Sequence, residues 1–557
     1  MQIIQKILLL IAVLPLLLVA CTPNDDRAMD YSRSADAKFN KGDRDGALAD
    51  YTKAIEIKPW DALPYNGRGM VKESKGDLDG ALADFDKVIE LKRNYEPAYE
   101  NRGRVKKAKG DLDGALVDID RAIEINSGLT GAYIDRGLVK DAKGDLDGAL
   151  ADFNKAIELK PDDVSAHYNR GLLKKARGDL NGALADYDEA IELKPDDVNP
   201  YVSRGIVKDA KGDPDGALAD YNKAIELKPG LAEAYFDRGL LKRAKNDLAG
   251  ELADYDKAIE LEPNNASAHN NRGAVREAKG DRDGALADYN KAIELNPSNL
   301  PAYINRGILK KAKGDLDAAL ADFNKAIEIK PDHVPSYVVR GGVKKAKGDV
   351  DGALADFNKA IELKPDDVSA YYNRGLLKKA RGDRDGAMAD YNKAIELNPK
   401  YAWAYHSRGC LRYDAQGFAD ALVDFRKEDE LDPAADYAHF RVWLIRARRG
   451  EREAATKELL GYLDNRKAGK PDDWAAQVAR FLAGELAEPE FLKAAEDTDK
   501  KTETGQLCEA WFYAGTKRLI DGDKARAAEY FDKCVATGEK GEYEYESAAA
   551  ELRVPGK

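Results

Sequence analysis

Apolar, small and polar positions repeat along most of this chain at one fixed interval of 34 residues. The glycine of a recurring Gly-Asp step stands at Gly42, Gly76, Gly110, Gly144, Gly178 and Gly212, then at Gly280, Gly314, Gly348 and Gly382, with Asn246 filling the gap. In the unit Thr130–Asp163 the pattern predicts one helix over about Ala132–Lys143 and a second between Asp145 and Lys160. Gly144 suits the left-handed cap that ends the first helix. Asp145 is placed to cap the second, with Asp147 in its acid-favouring first turn. Pro161 stops that helix and starts the turn into the next unit. Gly137 and Ala149 are small where the two antiparallel helices cross closely. One hairpin cannot bury its apolar face, so stacked neighbours must complete a continuous core, which the tyrosines and phenylalanines serve.

The strict 34-residue period resembles the tetratricopeptide repeat. Tyr133, Gly137, Ala149, Phe153, Ala156 and Pro161 stand at that family's aromatic, Gly, Ala, aromatic, Ala and Pro positions. In this register repeats begin at Ala28, Ala62, Glu96, Thr130, Val164, Val198, Ala232, Ala266, Leu300, Val334, Val368 and Ala402, twelve units over 28–435. The resemblance implies an all-α fold, a right-handed superhelical solenoid of antiparallel helix pairs that holds other proteins. Repeat seven is irregular, because Asn246 replaces the turn glycine and Glu251 the small residue at the helix crossing. Neutral drift and a looser joint both fit.

Residues 436–557 diverge and read as a helical cap. A helix pair is expected over Asp436–Leu463 around Gly450, with further helices over Asp473–Leu486 and Pro489–Ala495. Cys508–Thr537 returns to the repeat pattern through Trp511, Gly515, Gly522, Ala527 and Phe531. Cys508 and Cys534 fall at opposite ends of that hairpin, where antiparallel helices bring them level. They fit a disulfide outside the cytoplasm, or two small buried residues. This layout is similar to the NlpI-type lipoproteins, envelope adaptors for cell-wall hydrolases and proteases, although those have far fewer repeats.

The first twenty residues break the pattern. Lys6 precedes an apolar run from Ile7 to Ala20, short for a membrane span and suited to a secretory leader. Leu18-Val19-Ala20-Cys21 resembles a bacterial lipobox, which implies cleavage before Cys21 and acylation of that cysteine. Several acyl chains together hold a protein to a bilayer where one does not. An ordinary signal peptide or an uncleaved anchor is the plainer alternative. Thr22, in place of Asp, resembles an outer-membrane sorting signal. The expected organisation is a leader at 1–20, a lipidated linker at 21–27, the repeats at 28–435 and the cap at 436–557. The expected location is the cell envelope, on the outer membrane facing the periplasm if the host has two membranes.

Acidic residues outnumber basic ones by 101 to 89, a net charge of −12, and removing the leader takes away Lys6 alone, leaving −13. That balance argues against nucleic acid as a partner. Each repeat from the second on carries Arg before its first-helix glycine (Arg68, Arg102, Arg136, Arg170 and onward to Arg408), with a basic residue four positions later, as in Lys72, Lys106, Lys140 and Lys174. The family usually has an apolar residue and an aromatic there. Like charges at this spacing repel by about 0.2–0.5 kcal/mol, so acids are expected beside them. The second helices supply Asp84, Asp118, Asp152, Asp186 and onward to Asp424. An interhelical ion-pair ladder is the favoured reading, over a track for an anionic wall polymer.

In the tetratricopeptide family the inner wall is lined by the first helix of each pair. The corresponding positions here carry Ile134/Leu138, Tyr168/Leu172, Val202/Ile206, Phe236/Leu240, Ile304/Ile308 and Tyr372/Leu376. This stripe fits core packing, and equally a groove for an extended or helical segment with apolar anchors. The five histidines (His167, His269, His333, His406, His439) are scattered, and His167 and His269 simply replace the repeat aromatic. No metal-spaced cluster, phosphate loop or nucleophile motif appears, so neither enzyme activity nor a cofactor is expected. The expected partners are envelope proteins or peptides, with the membrane reached through the lipid. A self-associating structural component without a discrete groove is the alternative.

Overall fold

The computed structural model describes residues 23–466, 473–496 and 500–554, and Cys21 with the apolar leader lies outside them. The described residues form helices in consecutive antiparallel pairs and contain no strand. The chain divides into two compact units at residues 275 and 276. The first runs from the pair Pro23–Asn40 and Arg44–Ile57 to Leu248–Leu261, and the second from Arg282–Leu295 to Tyr543–Leu552. Residues 23–27, expected as linker, already belong to the first helix.

Repeat four shows how the sequence builds each pair. Its helices are Thr130–Ala142 and Leu146–Leu159. Gly144 sits at φ 81°, the left-handed region that a side chain avoids. The Asp145 carboxylate then accepts a hydrogen bond from the Gly148 amide at 2.9 Å, capping the second helix. A Cβ on Gly137 would stand 2.7 Å from the Phe153 ring, so only glycine admits that close crossing. Phe153, Ala149 and Ala156 are almost fully buried there. Each such ring contributes about 2–3 kcal/mol by leaving water.

The charged ladder is structural. Arg136 donates from Nε and Nη2 to the two oxygens of Asp152 at 2.9 and 2.6 Å. The Lys140 ammonium reaches the same carboxylate at 2.8 Å, so the two cations share one buried acid. Arg136 Nη1 also donates to Asp120, on the preceding repeat's second helix, at 2.7 Å. The Tyr133 ring lies 5.2 Å from the guanidinium. The same Arg–Asp pair recurs in the first unit at Arg68–Asp84, Arg102–Asp118, Arg170–Asp186, Arg204–Asp220 and Arg238–Asp254. In the second unit it recurs at Arg306–Asp322, Arg340–Asp356, Arg374–Asp390 and Arg408–Asp424.

Repeat seven keeps the geometry by other means. Asn246 takes φ 59° where ten other repeats use glycine and repeat twelve uses Gln416 at φ 63°, a conformation asparagine tolerates better than most residues. Glu251 is fully buried at the crossing, where Arg243 of the first helix donates to it at 2.6 Å. Burial raises the Glu251 pKa and Arg243 opposes that rise. The irregularity is a compensated substitution.

In the cap, the expected pairs form at Asp436–Arg448 with Arg452–Asn465 and at Trp474–Ala483 with Glu488–Ala494. Lys500–Ile520 and Lys524–Ala536 follow, placing the Cys508 and Cys534 sulfurs 3.4 Å apart, both buried and both free thiols. A further helix, Tyr543–Leu552, was not anticipated and packs back against Ala402–Asp414. Arg441, fully buried, donates to Glu544 at 2.8 Å and Ser547 at 3.0 Å on that helix. Its guanidinium lies between the Tyr413 and Phe512 rings, at 5.0 and 4.7 Å. Nearby, Glu509 accepts hydrogen bonds from Tyr437 at 3.0 Å and from the Trp474 indole at 2.8 Å. Burial, reinforced by the charge of Glu544, pushes its pKa up to about 8.

Two expectations follow from these buried acids. Asp152→Ala leaves Lys140 without its counter-ion and Arg136 with Asp120 alone, and destabilises repeat four by about 3 kcal/mol. Hydrogen exchange should accelerate across residues 130–163 well before residues 198–231 respond. Glu509 holds its proton in the folded state up to about pH 8, whereas the unfolded chain releases it near the ordinary carboxylate value. This group's contribution to stability is therefore lost as pH rises towards 8. Calorimetry should show the melting temperature falling between pH 5 and 8 more steeply in the wild type than in Glu509→Gln.

Candidate polypeptide-binding face

Within each unit the first helices of successive repeats approach one another while the second helices stand further apart. The first-helix face is therefore the inner one. The structure divides the twelve apolar residues that sequence placed there. Ile134 and Leu138 pack against the Phe153 cluster, and Tyr168 and Leu172 against Tyr187 and Val207. Val202 is a core residue, 6% exposed, and Ile206 packs beside it, so Val202 is removed from the groove. Phe236 lies on Tyr255 with ring centres 5.7 Å apart, and Tyr372 lies between Tyr391 and Tyr401 at 6.1 and 5.2 Å. Leu376 joins the Tyr391 cluster and Ile304 is half-buried. Only Leu240 (39% exposed) and Ile308 (40%) present a large apolar side chain to solvent. Most of the stripe is the seam between repeats, because a residue on this face also meets the next repeat's first helix.

Charged groups complete the face. In the first unit Arg104 and Glu73 of neighbouring repeats pair at 3.1 Å. Burial raises the Asp135 carboxyl to about 6, with Arg104 and Lys107 opposing and Glu100 reinforcing the shift. Burial likewise raises Asp237 to about 6, helped by Glu233 and Asp209, with Lys175 opposing. In the second unit a row of lysines replaces these mixed charges.

The histidines serve the framework. His167 Nε2 lies 2.8 Å from the Pro161 carbonyl and His269 Nε2 3.0 Å from that of Pro263. In sister repeats Tyr201 and Tyr337 donate to the equivalent carbonyls of Pro195 and Pro331 at 3.2 and 3.0 Å. His333 bonds Ser336, and His439 stacks on Tyr462 beside Asp429. His406 was not singled out by sequence. Its Nδ1 lies 2.9 Å from Glu428, and its Nε2 lies 3.6 Å from Cys410 Sγ. His406 and Glu428 line a cavity of about 410 Å³ with Trp403, Tyr437 and Tyr543, whereas Cys410 is fully buried and outside that lining. This grouping resembles a nucleophile with its base, yet the thiol itself does not line the cavity. Among the described residues no group of three or more His, Cys, Asp or Glu is arranged to hold a metal ion.

Profiles described as "TPR repeat" match residues 142–176, 239–280 and 341–382. Two described as "Tetratricopeptide repeat" match 164–197, 266–299, 301–333 and 368–401, and 31–59, 64–95 and 198–230. Together they span more than half of the chain. No curated protein matches it. Solved structures similar to it include a tetratricopeptide repeat protein from Parabacteroides merdae, 21% identical over 45% of this chain and 99% of that one, with a TM-score of 0.37. YrrB, described as a TPR protein with an unusual peptide-binding site, is 27% identical over 33% of this chain and 95% of its own, with a TM-score of 0.27. Yeast Tom70 is 20% identical over 85% of this chain and 100% of its own, with a TM-score of 0.32.

Proposed function

From its tetratricopeptide repeats, which make the chain a protein-interaction scaffold, we infer that it is a lipid-anchored adaptor of the bacterial cell envelope. Its inner face holds polypeptide segments of partner proteins. The observation that carries the binding role is the exposure of Leu240 on the inner face of the first unit and of Ile308 on that of the second, where neighbouring apolar residues are spent on the seam. The anchoring role rests on the lipobox-like Leu18-Val19-Ala20-Cys21. An oxidising compartment also fits the Cys508 and Cys534 thiols, which stand 3.4 Å apart and would close a disulfide across the last hairpin.

The seam changes which variants are informative. Replacing Tyr168, Phe236 or Tyr372 would loosen the rings they pack on, so a loss of binding would have two explanations. A photo-crosslinking side chain at 240 or at 308 avoids this. Val117 and Val423 on second helices, 68% and 65% exposed, serve as controls. We expect polypeptide adducts from 240 and 308 in envelope preparations and none from 117 or 423. Equal labelling at all four positions would count against an inner-face groove. For the anchor, Cys21→Ser should move the chain from the membrane fraction to the soluble one. The wild type isolated from the envelope and denatured should show one titratable thiol, that of Cys410, rather than three.

A further inference from the structure

At one register place on the inner face, three residues after the second position of the apolar stripe, charge alternates in sign repeat by repeat from Glu73 to Glu277. The alternation then stops. Repeats nine, ten and eleven carry Lys311, Lys345 and Lys379 in succession, each the second lysine of a Lys-Lys pair. The first lysines, Lys310, Lys344 and Lys378, bind the ladder aspartates at 2.9 Å. The second lysines face inward. Lys311 reaches across to the next repeat, its Nζ 3.8 Å from where a Cβ on Gly342 would stand. Partial enclosure, with the charges of Lys311 and Lys379, lowers the Lys345 pKa. Lys311 and Lys345 make no ion pair or hydrogen bond with a described residue, so their charges repel without local compensation.

Lys379 shows what answers such a charge. The carboxylate of Glu546, on the terminal helix Tyr543–Leu552, binds its ammonium at 2.9 Å, and the Tyr543 ring lies 3.8 Å from the same nitrogen. That helix is fixed by its own buried bonds, Arg441 to Glu544 and Arg448 to Glu551, both shorter than 3 Å. It fills one end of the row permanently and leaves Lys345 and Lys311 open.

We propose that the inner face of repeats nine to eleven binds an acidic, aromatic-bearing polypeptide segment of a partner protein, with its carboxylates on Lys311 and Lys345. This rests on the reading of the inner face as a polypeptide-binding surface and names the chemistry of one stretch of it. Charge complementarity sets the class of ligand, and the contact of Glu546 and Tyr543 with Lys379 sets its aromatic character. Carboxylates on exposed lysines make binding steeply dependent on salt.

The test uses the full chain and a short fluorescent peptide of alternating glutamate and tyrosine, followed by anisotropy at low and high salt. Lys311→Gln/Lys345→Gln should weaken binding at least about tenfold, the effect of losing roughly 1.4 kcal/mol. Lys313→Gln/Lys347→Gln removes the same charge from lysines that pair instead with Asp283 and Asp317, and should leave binding unchanged. Both inward lysines are exposed, and an unchanged circular dichroism melt will confirm folding. The proposal is overturned if the inward variant binds like the wild type, or if a glutamine-for-glutamate peptide binds equally well. It is also overturned if a single-stranded oligonucleotide of equal charge binds as tightly through the same lysines. Failure here with crosslinking retained at 240 and 308 would reject the acidic ligand while keeping the polypeptide-binding face.

Discussion

One buried aspartate in each second helix organises the solenoid. In repeat one it is held by Ser34 and Lys38; beyond it, as at Asp152, it accepts two hydrogen bonds from an arginine of the first helix and a contact from a lysine or arginine a turn further on. Two cations that would repel each other on one helix become a clamp that fixes the partner helix in angle and register. Charged groups at low exposure are costly alone, and only complete pairing makes them tolerable. The device therefore gives specificity: a slipped hairpin leaves a buried carboxylate or guanidinium unpaired. The arginine's remaining donor reaches back to the preceding repeat, so the same side chain that shapes a hairpin also stacks it.

The fold was largely legible because its determinants are local and periodic. Gly144, Asp145, Gly137 and Pro161 each state a backbone requirement within a few residues, and the 34-residue recurrence repeats it. The ladder was legible for the same reason, through Arg136, Lys140 and Asp152. The inner face was less so. Tyr168 and Val202 satisfy the stripe's spacing, yet side chains there also meet the next repeat, and spacing within one helix carries no record of that neighbour. The lysine row left a signal in the Lys-Lys pairs that was absorbed into the ladder, since only the first lysine of each pair has an obvious partner.

The terminal helix escaped sequence reading for a different physical reason. Its buried positions include Glu544, Ser547 and Glu551, so it carries no apolar stripe of the kind that marks an amphipathic helix. It is held by polar groups that find complements far away in sequence, above all Arg441. His406 with Glu428 and Cys410 was invisible similarly, because its acid lies on the following helix.

The arginine's backward bond differs along the chain. In the first unit it falls on Asp86, Asp120 and Asp188 as well as on Asn154 and Asn222. In the second it falls on Asn290, Asn324, Asn358 and Asn392. The hydrogen bond survives the change from carboxylate to amide, but the charge attraction does not. Dissolved ions weaken the exposed charge pairs and barely affect the neutral ones. The arginine's backward bond is therefore salt-sensitive where it falls on Asp86, Asp120 and Asp188 and largely indifferent to salt where it falls on asparagine, while exposed pairs such as Lys75–Asp45, Lys313–Asp283 and Lys347–Asp317 leave the junctions of both units open to ionic strength.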